Sequence, residues 1–375
     1  MVGPLSNLGN AAKLCLVAGI PKVSQPSFDV GSFREEASTL IAEGLGPVAL
    51  EVIDRNGGVR DPDLRGPFFA NSMSRQMQSL AADAIVGNLV TVLQESGVTP
   101  VLIKGPAVAR LHPPDWPRPY SDIDLLVRPD QFERAMSRLV KEGYDYPETS
   151  RPPWLWFDRY CREGVNLHGA GNVDLHHHIA PWAFVGHLST QDVLAAGTVL
   201  NLHGVDVTVA SPGHSVVIAA LHILNDLWKG QRGLVSWRDI IILLQSTDAE
   251  EIRRVFMRAK LEWLLDLVVA ELHETVPYAV EGSANRIRTP VAARWRIRGL
   301  GWQGSTAISR HRAAWMIRLP WPQAWAFAAG TAVPSPSFIR ARHHTYRQYW
   351  RQAWDETVTT VGGADHRMDK SEILP

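Results

Sequence analysis

Residues 101–127 read VLIKGPAVARLHPPDWPRPYSDIDLLV, and the fold turns on this stretch. The apolar run Val101 to Ile103 stops at Lys104-Gly105-Pro106. Glycine permits a tight bend and proline is favoured at the first helical position, so a strand should pass through this turn into a helix. Such a turn exposes backbone donors beside the Lys104 ammonium, which suits a phosphate. His112 to Pro119 is proline-rich and reads as an extended loop. The second strand carries Asp122 and Asp124 one residue apart. Side chains at i and i+2 of a strand point the same way, so both acids fall on one face, with Ile123 and Leu125 on the other. Two carboxylates backed by an apolar layer form a site for a hard divalent cation.

Upstream, Met77, Leu80, Ala81, Ala84, Ile85, Leu89, Val92 and Leu93 make one helical stripe, and Gly97 is the expected stop. Downstream, Asp130 and Glu133 have capping-box spacing ahead of the stripe Phe132, Met136, Leu139 and Val140. After an aromatic segment with Trp154, Trp156, Phe157 and Tyr160, the runs Gly164–Leu167 and Asn172–His176 flank a His-Gly-Ala-Gly turn and predict a hairpin. Asp174 and His176 share one face of its second strand. His176, His177 and His178 cannot jointly ligate one ion, because consecutive strand residues alternate faces. Beyond residue 190 the pattern is mostly helical, notably over 215–227, 237–244, 249–260 and 261–273. This gives three regions: helices over 1–75, an α/β core over 76–190, and a helical C-terminal part over 191–375.

The composition is that of a globular protein, with 45% hydrophobic and 20% charged residues. Lys plus Arg and Asp plus Glu both total 38, so net charge does not point to nucleic acid or a membrane. From Gly282 to Trp354 there is no acidic residue, while Arg and Trp recur. That region could offer a basic surface or form a helical domain with tryptophans inside, and it carries none of the standard nucleic-acid-binding motifs. Cys15 and Cys161 alone do not make a disulfide scaffold, which fits a reducing cytoplasm. No run is long and apolar enough for a transmembrane helix, and no signal peptide is evident.

If the Asp174 strand pairs beside the Asp122 strand, three acids share one sheet face. Magnesium uses one or two carboxylates per ion plus substrate phosphates. Paired ions about 3.5–4 Å apart can bind both oxygens of an in-line displacement at phosphorus. The order strand, Gly turn, helix, Asp-x-Asp strand, later Asp strand resembles the DNA polymerase beta-type nucleotidyltransferase superfamily. Leu-Ile-Lys-Gly-Pro-Ala, Ser-Asp-Ile-Asp-Leu-Leu-Val and Val-Asp-Leu-His-His resemble one bacterial nucleotidyltransferase family within it, over roughly residues 77–245. Some members sit among genes for modified peptides, including lasso peptides.

The resemblance implies an α/β (α+β) nucleotidyltransferase core with a small mixed sheet, flanked by N-terminal helices and a helical C-terminal region. It implies that Asp122, Asp124 and Asp174 bind Mg²⁺ or Mn²⁺, with Asp174 helping to deprotonate the acceptor hydroxyl. Gly105 and the following helix would approach the triphosphate of an NTP, with ATP as the expected nucleotide. The superfamily usually has Gly-Ser in that turn. Here Lys104-Gly105-Pro106 offers no serine, and Lys104 is the candidate replacement. Arg118 could reach a phosphate or stack on Trp116. His222, Asp226 and Asp239 fall where the family has a His and an Asp, and packing or an intrahelical bond is the simpler role for them. The expected reaction moves an NMP to a hydroxyl of a small molecule, peptide or protein, releasing pyrophosphate. Residues 154–160 and the C-terminal helices would shape the acceptor pocket. The rival readings are a kinase on the same metal site and a non-catalytic peptide-binding accessory protein.

Overall fold

The computed structural model describes residues 5, 7–21, 23–57, 61–116, 118–146, 164–179, 184, 186–228, 232–279 and 345–361, with isolated positions 325, 329, 336 and 339. The aromatic segment 154–160, Cys161 and nearly all of 282–344 lie outside the described residues. The chain is mixed α/β: among the described residues, twelve α-helices surround one six-stranded sheet. Helices α1 (Asn10–Val17), α2 (Val30–Ala42) and α3 (Gly46–Arg55) precede the long α4 (Pro62–Glu95), which runs unbroken across residue 75. Then come β1 (Val101–Leu102), the one-turn α5 (Pro106–Ala109), β2 (Asp122–Leu126), α6 (Phe132–Lys141), β3 (Gly164–His168) and β4 (Asn172–His176). After α7 (Thr190–Ala195) follow β5 (Thr198–Leu202) and β6 (Val205–Val209). Helices α8 (Pro212–Trp228), α9 (Leu234–Ser246), α10 (Ala249–Arg258) and α11 (Glu262–Thr275) form the helical layer, and α12 spans Tyr346–Val361.

The strand order is β3-β4-β2-β1-β6-β5. β2 runs parallel to β4 with Asp124 opposite Asp174, so the expected pairing is present and in register. β1 is antiparallel to β2 and parallel to β6. The β3–β4 hairpin pairs Gly164 with His176 as its sequence predicts. Residues 198–209 depart from a helical reading: Val205, Val207 and Val209 alternate with polar residues after His203-Gly204, both at positive φ, and make a hairpin that extends the sheet.

Alternation along the strands separates two cores. Ile123, Leu125, Val173 and Leu175 are fully buried on one face, against Val86, Leu89, Val90 and Leu93 of α4 and Phe132 and Leu139 of α6. Each such side chain contributes about 1.5–3 kcal/mol by leaving water, which fixes the register and so the direction of the acids. Leu126, Val101 and Ile103 face the other way, into a core built from α1–α3 and α8–α11. The site therefore lies between the sheet and this helical layer.

Two local expectations change. Met77 and Leu80 are 67% and 69% exposed, so they lie off the buried face of α4, which holds Leu64 and Phe68 toward one end and Ala82, Val86, Leu89 and Leu93 toward the other. Asp130 does not cap α6; it pairs with Arg128, and Gln131 occupies the cap position without a side-chain bond. The Gly97 stop is as expected, with φ +75° and the Val98 N–H donating to the Leu93 carbonyl. No helix among the described residues is long and apolar enough to cross a membrane.

Candidate active site

Gly105 sits at φ +56°, ψ −119°, a conformation open to glycine. A Cβ there would stand 3.2 Å from the Asp122 carbonyl oxygen, so the missing side chain lets the turn close onto β2. The helix that follows has only four residues. α4 holds the start of β2 from behind: the Tyr120 N–H donates to Ser79 Oγ at 2.8 Å, Ser79 Oγ donates to the Tyr120 carbonyl at 2.9 Å, and the Tyr120 hydroxyl bonds Asp83.

Asp124 is the buried centre of the cluster, its side chain 3% exposed. Lys104 Nζ lies 3.3 Å from its Oδ1, and His176 Nε2 lies 3.2 Å from the same oxygen. Burial works to raise the Asp124 carboxyl, but Lys104 and then the His176 contact hold it well below the ordinary carboxylate range. Asp174, beside it on β4, is pushed up to about 6 by burial and by the Asp124 charge. Asp122 is also raised, by burial and then by Asp124. One acid is thus electrostatically compensated and two are not.

Ligand atoms of Asp124, Asp174 and His176 all lie within 4.8 Å of one another, a group that could hold a metal ion. Asp122 is not in this compact trio, although β2 puts it on the Asp124 side of the sheet. His176 takes part because, like Asp174, it faces the helical layer. His177 turns away to pack against Phe132, with ring centroids 4.3 Å apart, as strand alternation requires. Carboxylate oxygens suit Mg²⁺ or Mn²⁺, and one imidazole remains compatible with the latter. The raised Asp122 and Asp174 mark a surplus of negative charge that a divalent cation would neutralise.

Lys104 also approaches His222 Nδ1, at 3.3 Å, while His222 Nε2 is 3.7 Å from Asp226. The expected intrahelical contact on α8 exists, and the same histidine reaches the site as well. Arg118 does not stack on Trp116; Arg55 covers that ring, 4.9 Å from its centroid. Arg118 Nε instead donates to both Asp239 oxygens, at 2.7 and 2.8 Å, and His112 Nε2 lies 2.9 Å from Asp239 Oδ1. Sequence reading gave Asp239 no such role, because its partners lie 127 and 121 residues away.

The site elements β1, β2 and β4, with α8 and α9, which carry His222 and Asp239, all lie inside one matched span. The model of a family described as an uncharacterised nucleotidyltransferase fits residues 34–277. The chain belongs to this nucleotidyltransferase family. It is therefore a transferase, and the nucleotidyltransferase core is the mixed α/β sheet described above. No match was found among curated proteins or among solved structures.

Proposed function

We propose that this nucleotidyltransferase moves a nucleoside monophosphate from an NTP, with ATP as the expected donor, to a hydroxyl group, releasing pyrophosphate. The observation that carries the reading is the in-register pairing of Asp124 with Asp174 on a sheet face that also bears Asp122. We assign Asp122, Asp124 and Asp174 as the acids that hold divalent metal, as in the DNA polymerase beta-type superfamily. Mg²⁺ or Mn²⁺, when bound, would supply charge for the triphosphate and lower the pKa of the attacking hydroxyl. Lys104 and Arg118 bring positive charge toward the phosphates, and the Gly105 turn lets the backbone approach them. Asp174, with its raised carboxyl, is the candidate to accept the acceptor's proton once neighbouring charge is neutralised. The acceptor hydroxyl belongs to a small molecule, peptide or protein, and modified-peptide chemistry such as lasso-peptide biosynthesis is the setting the family resemblance favours. The site is assigned to the cytoplasm.

Separately α- and γ-labelled ATP, with and without Mg²⁺, test the reaction. Label from the α position in the acceptor is the expected result. Label from the γ position would instead establish a kinase. An Asp122→Ala/Asp124→Ala variant that transfers as well as the parent would refute the assignment of these acids.

A further inference from the structure

Arg118 is held from one side only. Its Nε–H is shared between both oxygens of Asp239, and no other hydrogen bond to Arg118 is formed among the described residues. The N–H groups of its two terminal nitrogens remain for a ligand. The charges of Asp122 and Asp124, along with that of Asp239, act on the guanidinium and favour its charged form. Asp239 itself is 4% exposed and rooted in α9. The adjacent Arg238 donates to the carbonyls of Cys15, Leu16 and Ala18, which fixes this turn of the helix in the core. A second donor, His112 Nε2, meets Asp239 Oδ1 at 2.9 Å. Burial keeps His112 neutral, so Nε2 carries the proton it donates, and Nδ1 is left buried without a hydrogen-bond partner.

Buried ion pairs contribute little net stability, because desolvation offsets attraction; what they fix is direction. Arg118 lies on a loop with no regular backbone hydrogen-bond ladder, and an untethered arginine there would sample many rotamers. We propose that Asp239 and His112 are positioning residues that hold Arg118 as a preformed clamp for the phosphate chain of the nucleotide. The proposal rests on the nucleotidyltransferase reading of the site. His112 and Asp239 set the direction of the guanidinium; Arg118 makes the contact. The order of the loop supports this division, since His112 and Arg118 flank Trp116, whose buried ring anchors the segment between them.

The test is a double-mutant cycle on Asp239→Asn and Arg118→Ala, read by calorimetric titration with inorganic tripolyphosphate and with ATP, both in Mg²⁺. Asp239→Asn should weaken binding of both by about tenfold, the size of one lost charge-assisted contact, and should have no further effect once Arg118 is alanine. His112→Gln, which keeps an amide donor, should shift affinity in the same direction by a smaller factor and serves as the second variant if Asp239→Asn does not fold. Unchanged tripolyphosphate affinity in folded Asp239→Asn or His112→Gln would overturn the clamp, as would an equal loss in the Arg118→Ala background. Transfer of α-label together with unaltered binding by Asp239→Asn would refute the clamp and leave the reaction standing. Clamp-dependent tripolyphosphate binding without α-label transfer would do the reverse. A parent protein that binds neither ligand overturns both.

Discussion

Replacing Asp174 by asparagine is expected to stabilise the protein when divalent cations are removed. Burial and the Asp124 charge push the Asp174 carboxyl up to about 6 from an ordinary 3.8. At 1.36 kcal/mol per pH unit, that gap corresponds to about 3 kcal/mol against the ionised side chain. Water reaches part of the carboxylate and screens the repulsion, so about 1–2 kcal/mol is the gain to look for. A carboxyl raised by folding binds its proton more tightly folded than unfolded. The penalty is therefore absent below 3.8, grows toward about 6 and is complete above it, so stability falls as pH rises through this window. Thermal unfolding in chelator should show Asp174→Asn melting about 1–3 °C above the parent near neutral pH. The two curves should converge at about pH 4, where the parent carboxyl is protonated in the fold. Added Mg²⁺ or Mn²⁺ should raise the parent's melting temperature more than the variant's. A variant equally or less stable than the parent near neutral pH in chelator would refute the reasoning, because the neighbouring acids would then not be in repulsive contact.

Gly105→Ala should cost about 1–3 kcal/mol, since alanine is strained at this φ and ψ and its Cβ would crowd the Asp122 carbonyl; denaturant unfolding within 0.5 kcal/mol of the parent, or about the error of such a measurement, would contradict it. Lys104→Met removes the ammonium nearest the buried Asp124 carboxylate, and with Lys104 itself 20% exposed the loss should be about 1–3 kcal/mol, part of it restored by Mg²⁺. Chemical denaturation with and without the ion checks both halves of that expectation.

The acids of β2 and β4 were legible because strand periodicity is two and their apolar neighbours Ile123, Leu125, Val173 and Leu175 are unambiguous. Pairing of the two strands could be expected, and the register then followed from burying those four residues together. The β5–β6 hairpin sits within a helix-rich stretch, and its signal is confined to the alternating valines of 205–209 and the His203-Gly204 turn. His176 is visible on the Asp174 face, but its approach to Asp124 depends on how the parallel strands pair. The Lys104 contact with His222 spans 118 residues, and the Arg118 contact with Asp239 spans 121. Such contacts are set by how α8 and α9 pack over the sheet, and no local motif encodes them. The same limit applies to Asp130, where capping spacing is present but Arg128 captures the carboxylate first.

Arg238 gives the helical layer one further property. Its guanidinium binds three carbonyls at the end of α1, a helix that precedes the family-matched span, while its neighbour Asp239 faces the loop of Arg118. Two successive residues of α9 thus join a helix outside the matched span to the loop that carries Arg118. Such a joint makes the first helix a poor candidate for exchange between relatives: grafting it elsewhere, or replacing it, would leave a cation in the middle of the molecule with nothing to bind. The end of α1 is thereby tied by hydrogen bonds to the same helix that carries Asp239.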